Sequence, residues 1–165
     1  ALRIHEFNRL IKDLNGLTKE AFLIELDTMY RIENRGTIPY KPSQKHHFSM
    51  YLDGKFYSLY LRKNTYTYKD ALSKLDAEIL YRTILKPILG IDNLDNNDRI
   101  RYRNNKLDML SIKTLVDNGQ FDIGFGMLPI TIDEMKKIAD AQLIMPPKTS
   151  YIEPKLRSGL TMYEF

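Results

Sequence analysis

The 165-residue chain contains no cysteine, which excludes a disulfide framework, a thiolate zinc site and a cysteine nucleophile. A reducing, cytoplasmic setting fits that absence. Long apolar runs are also missing: Ile84 to Leu89 is interrupted by Lys86 and Pro87, far short of the ~20 apolar residues a membrane helix needs. No membrane partner is therefore expected. The opening "ALRIHEFNRL" lacks the charged-then-apolar pattern of a signal peptide, and its abrupt start without Met is read as that of a fragment. There is no Walker sequence and no Gly-x-Ser-x-Gly elbow. "GFGMLP" lacks the third glycine and the helix opening of a dinucleotide fingerprint, so its glycines are read as permitting close backbone packing. A strong single-sign charge is absent as well, since 25 Lys+Arg stand against 21 Asp+Glu for a net +4. That mild excess suits anions such as phosphates but is thin for a sequence-independent nucleic-acid binder.

What is present is an ordinary mixture of helix and strand patterns, 43% hydrophobic and long enough for one core. Residues 2–7 alternate as a short opening strand. A turn at Asn15-Gly16 and an N-cap at Thr18 introduce a helix whose apolar face is Phe22, Leu23, Leu26, Met29 and Tyr30. Residues 34–45 have loop composition. "HHFSMYLDGKFYSLYLRK" then gives two aromatic-rich alternating runs around Asp53-Gly54, the signature of a tight hairpin over residues 46–62. A helix is predicted from a Thr67 cap to a stop or kink at Pro87. A short strand at 99–103, a helix stopped by Asn118-Gly119, a strand in "FDIGFGMLPI" and a helix from Thr131 with Glu134 at capping-box spacing follow. "GLTMYEF" reads as a last strand. The fold class is α+β: a single domain over 1–165, with a mixed or antiparallel sheet packed by about four helices.

Several residues have the chemistry for a site. His46-His47 is the obvious acid/base or metal pair, but neighbours on a strand point to opposite faces, so only one can serve a given site. With His5 the sole other histidine, no metal set is identified. Arg9, Lys12, Asp13 and Asn15 precede a helix, where cations and backbone N–H groups can hold phosphate or carboxylate. The segment "IMPPKTSYIEPKLRSGL" combines a stiff Pro146-Pro147 backbone with Lys148, Lys155 and Arg157 and several hydroxyls. Such preorganised donors suit an anion site. The 11 tyrosines and "RIRYR" permit base stacking and phosphate contact, although strand aromatics more often form cross-strand pairs.

"RLIKDLNGLT", "HHFSMYLDGKFYSLYL", "ILKPILGI" and "IMPPKTSYIEPKLRSGL", in this order, resemble the C-terminal half of a bacterial and archaeal family catalogued as domain of unknown function 1015. Full-length members carry a further N-terminal half whose Asp-Gly-His-His-Arg signature is similar to that of ParB-like free-serine kinases. The resemblance implies phosphoryl transfer to serine or a related metabolite, with ATP or ADP and Mg as cofactors of the full-length protein and a fragment that is inactive alone. The signature itself is absent here, because His46-His47 follows Gln44-Lys45 and precedes Phe48. The primary expectation is thus a domain that contributes to an anionic small-molecule site and works with a missing N-terminal half. Lys148, Lys155 and Arg157 would contact phosphate oxygens and Arg9 and Lys12 a substrate carboxylate, with His47 or Asp13 as base. The alternatives are a nucleic-acid module, which the modest charge disfavours, and a structural or homodimerisation domain.

Overall fold

The computed structural model describes residues 3–5, 7–104, 109–148 and 151–153. The hairpin organises it. Asp53 and Gly54 both take positive φ (48° and 80°), the geometry of a two-residue turn whose twist matches the flanking strands. They join β4 (His47–Leu52) to β5 (Lys55–Leu61) in the register Phe48↔Leu59 and Met50↔Tyr57. Around this pair a six-stranded, wholly antiparallel sheet forms in the order β3-β5-β4-β7-β2-β6, with β2 Phe7–Ile11, β3 Tyr30–Gly36, β6 Ile100–Asn104 and β7 Ile123–Gly126. A separate two-stranded ribbon pairs β1 (Arg3–His5) with β8 (Tyr151–Glu153).

Strand alternation gives the sheet two faces. Phe48, Met50, Leu52, Leu59, Ile123 and Phe125 point into the larger core, together with residues 75–91 and helices α1 (Lys19–Asp27) and α4 (Ile132–Asp140). The other face carries Leu10, Tyr51 and Phe56 under helix α3 (Met109–Asp117), which contributes Ile112 and Val116. Close approach of α3 depends on Gly124, where a methyl group would overlap Ile112 Cγ2. The close packing expected of "GFGMLP" is thus present.

Local signals account for the helix starts. Thr18 accepts from Ala21 N at 3.1 Å, and Thr131 and Glu134 form a complete capping box. Gly119, at φ 85°, ends α3. Three expectations need correction. Tyr30, expected on the first helix's apolar face, opens β3 instead, because α1 ends at Asp27. Residues 34–36 belong to β3, an edge strand whose Arg31, Glu33 and Arg35 give it the polar composition of a loop. The helix expected from Thr67 begins as α2 only at Asp76 (Asp76–Leu80), because Leu75 is extended (ψ 129°). Before it lies a tight turn over Leu72–Lys74, where Asp70 Oδ1 accepts from Ser73 N at 2.8 Å. After it the chain widens over Tyr81–Leu85, with Lys86 N donating to Tyr81 O at 2.9 Å, and so reaches Pro87 without a clash. The predicted strand in "GLTMYEF" lies outside the described residues.

Candidate functional site

β2 and β4 start, and β5, β6 and β7 finish, at one end of the sheet. The cations gather there. Lys45, His46, His47, Arg62, Lys63 and Tyr68 are among the residues lining a cavity of about 450 Å³. A second cavity of about 370 Å³ shares Lys45, His46 and Tyr68 and adds Lys69, Lys74 and Lys137.

At their junction His46 is held by Asp76. The carboxylate, 2% exposed in its side chain, accepts from the His46 backbone N–H at 2.9 Å through Oδ1. The same oxygen lies 3.1 Å from His46 Nδ1. An ionised carboxylate only accepts hydrogen bonds, so Nδ1 is the donor to Asp76, and Nε2 is the ring nitrogen left facing away from it. Asp76 Oδ2 is buried with no hydrogen-bond partner. His46 adopts φ 70°, a left-handed conformation that costs a non-glycine residue about 1 kcal/mol. The Asp76 bonds offset it. Tyr68 packs on the imidazole at 5.2 Å between centroids. Lys45 is fixed by Glu134 at 2.9 Å and by the Pro129 carbonyl at 2.6 Å, so the capping-box glutamate of α4 also positions this amine. Arg62 reaches Asp27 at 2.9 Å.

His47 sits edge-on to Tyr60 at 4.7 Å. Burial lowers its pKa from the ordinary histidine value, against an opposing pull from Asp76. Both histidines line the larger cavity, and of the two His46 is the one hydrogen-bonded to the carboxylate. Asp13 is engaged by Arg99 at 2.7 Å, and that bond holds its carboxyl below the usual range.

Arg9 and Lys148 are brought together. Arg9 is almost wholly buried. It donates to Phe7 O and, at 3.4 Å, to Lys148 O, and its guanidinium lies 5.3 Å from the Tyr102 ring centre. Lys148 Nζ lies over the Phe7 ring at 5.9 Å, and its φ of 56° turns the chain after Pro146-Pro147. Arg9 thus ties the Pro-Pro-Lys segment to the start of β2, at the same sheet end as His46. Lys12 lies past the other end of β2, exposed, three residues or roughly 10 Å along the chain from Arg9. Lys155 and Arg157 lie outside the described residues. Sequence reasoning missed Asp76, Lys45, Arg62 and Lys63. Asp76 in "KLDAEIL" has the pattern of an ordinary first-turn helix acid, and only the fold shows that it is buried against residue 46.

Among the described residues no group of three or more His, Asp or Glu is placed to hold a metal ion, and no helix is long and apolar enough to cross a membrane.

The antiparallel α+β arrangement is shared with solved structures. One is a free serine kinase variant in complex with AMP, matched at TM-score 0.52 and 12% identity over 92% of this chain and 54% of that one. A second variant with AMP is matched at TM-score 0.50 and 11% identity, over 92% and 54%. Identities this low show the fold alone, and the chain spans about half the length of these structures. Residues 1–78 match the family described as "Protein of unknown function (DUF1015)". That match is consistent with a domain of this family and takes in the first two of the four motifs. No curated protein matches the chain significantly.

Proposed function

We propose that this chain forms the anion-binding part of a small-molecule phosphotransferase whose acceptor is free serine or a related metabolite, acting with a further N-terminal half. The observation that carries this reading is His46, oriented by the buried Asp76 at the junction of two lysine-lined cavities. Phosphoryl transfer is mainly a matter of positioning and charge stabilisation. Lys45, Arg62 and Lys63 supply the charge, and His46 Nε2 is oriented to accept a proton from an acceptor hydroxyl. Support from fold comes through the likeness to structures titled free serine kinase in complex with AMP. ATP or ADP with Mg would be the cofactors. Lys148, exposed at the same end of the sheet and tied there by the buried Arg9, extends the cationic rim.

The test is an assay of the full-length protein with ATP and a panel of free amino acids, serine included. H46Q should lower kcat at least about a hundredfold, the scale of a lost general base, with a small change in KM. K45A should act mainly on KM. An H46Q variant with unchanged kcat removes His46 from the chemistry, and absence of turnover with any amino acid removes the phosphotransferase reading.

A further inference from the structure

The sheet face opposite Asp76 carries an independent feature. Helix α3 covers Leu10, Tyr51 and Phe56 but leaves Asn8, Ser49 and Ser58 to the loop over residues 37–46. All three are polar and at most 3% exposed. They line up because Ser49 pairs with Ser58 on one side and with Gly126 on the other. Ser58 Oγ is satisfied, accepting from Arg35 Nε at 3.0 Å. The Ser49 hydroxyl, 1% exposed as a residue, has no hydrogen-bond partner among the described residues. A buried hydroxyl in that state costs free energy unless something supplies the missing bond.

A cavity of about 260 Å³ opens beside it. Ser49, Asn8 and Gly126 line it together with Pro39, Pro42, Tyr40, Met109 and Met127, with the Met109 thioether next to Gly126. Gly126 is essential to the shape: a Cβ there would stand 2.5 Å from Ser49 Oγ and 3.1 Å from Asn8 Oδ1. Any side chain would therefore fill the gap between these polar atoms. Tyr40 is held from behind, with the Arg35 guanidinium 5.1 Å from its ring centre and Tyr60 packed edge-on at 6.2 Å. Arg35 is fixed in turn by Tyr60 Oη at 2.7 Å.

This chemistry selects an occupant. Lys41, the one charged residue among the described lining residues, is exposed, and the others carry no charge, so the part of the ligand that enters is neutral. Proline and tyrosine surfaces accept a flat ring, and methionines adapt to its outline. The volume falls just below the usual range for drug-sized ligands, which limits the occupant to something small. We propose that this cavity binds a neutral, hydrogen-bonding heteroaromatic ring of nucleobase size, with the Ser49 hydroxyl as its polar anchor. The site lies on the other side of β4 from Asp76 and does not rest on the phosphotransferase reading.

Uncharged nucleosides test it without engaging the cationic groove. Titration of the isotope-labelled chain with adenosine, guanosine, cytidine and uridine should give saturable shifts at Ser49, Gly126 and the Met109 methyl for at least one of them. S49A should weaken that binding about fivefold to tenfold, the worth of one neutral hydrogen bond. The same substitution should leave the Tm equal or higher, because the hydroxyl it removes has no partner among the described residues. Saturation confined to Lys45 and His46, S49A binding equal to wild type, or no saturation by any of the four nucleosides would each overturn the assignment.

Discussion

Replacing Asp76 by alanine removes the carboxylate that holds His46. Two N–H donors, the His46 backbone at 2.9 Å and Nδ1 at 3.1 Å, lose a buried carboxylate acceptor. Hydrogen bonds to a charged group are worth about 1.5–3 kcal/mol each. Against that stands the desolvation of a carboxylate whose Oδ2 has no partner. The net expectation is a loss of about 2–4 kcal/mol, or roughly 5–15 °C in Tm for a domain of this size. Residue 46 also loses the bonds that stabilise its left-handed backbone. D76N keeps an acceptor oxygen and should cost only about 1 kcal/mol, nearer a neutral hydrogen bond. Urea denaturation gives the stabilities, and nitrogen chemical shifts of His46 give its tautomer, which should be Nδ1–H in the wild type and mixed in D76A. Equal stabilities for wild type and D76A, or an Nε2–H tautomer in the wild type, would refute the reasoning.

Other perturbations follow from the packing. G124A should destabilise the chain by about 1–3 kcal/mol through overpacking against Ile112, read from the urea midpoint. An unchanged midpoint would show that α3 is not seated as described. Y51F should cost about 1 kcal/mol, because the fully buried Tyr51 donates to Asp117 Oδ1 at 2.6 Å. The Arg99 bond depresses the pKa of Asp13, so the stability it contributes is complete above the unfolded value near 3.8 and is lost as pH falls through the lower folded value. The Asp13 side chain is 49% exposed, and solvent screening keeps that contribution below about 1 kcal/mol. His47 has a lowered folded pKa, so its contribution is complete above about pH 6.5 and falls as the pH drops below that value. H47Q should flatten that part of a stability-against-pH curve.

The hairpin was legible because Asp53-Gly54 states its own backbone geometry, and the caps at Thr18 and Thr131 were legible because each satisfies donors within three residues. β3 was not. As an edge strand it carries alternating charges that resemble a loop. The start of α2 was hidden because the apolar spacing of residues 71–84 continues through Leu75, where the backbone breaks. The candidate site was half legible: the adjacent histidines were picked out, but strand alternation does not separate them, because His46 precedes β4 with a positive φ and both line one cavity. Which one serves depends on a positive φ and on an aspartate thirty residues away, and neither has a local signature. The sequence placed Arg9 and Lys148 in one candidate site but carried no sign that Arg9 would be buried and tie the Pro-Pro-Lys segment to β2.

The central claim is that the sheet end around His46 binds anionic small molecules. Titration of the labelled chain with inorganic pyrophosphate, at low and then at raised salt, tests it most directly. Saturable shifts at Lys45, His46, Arg62 and Lys63 that weaken with salt and are lost in K45A are predicted. Shifts spread evenly over surface lysines, or no saturation at low salt, would contradict it.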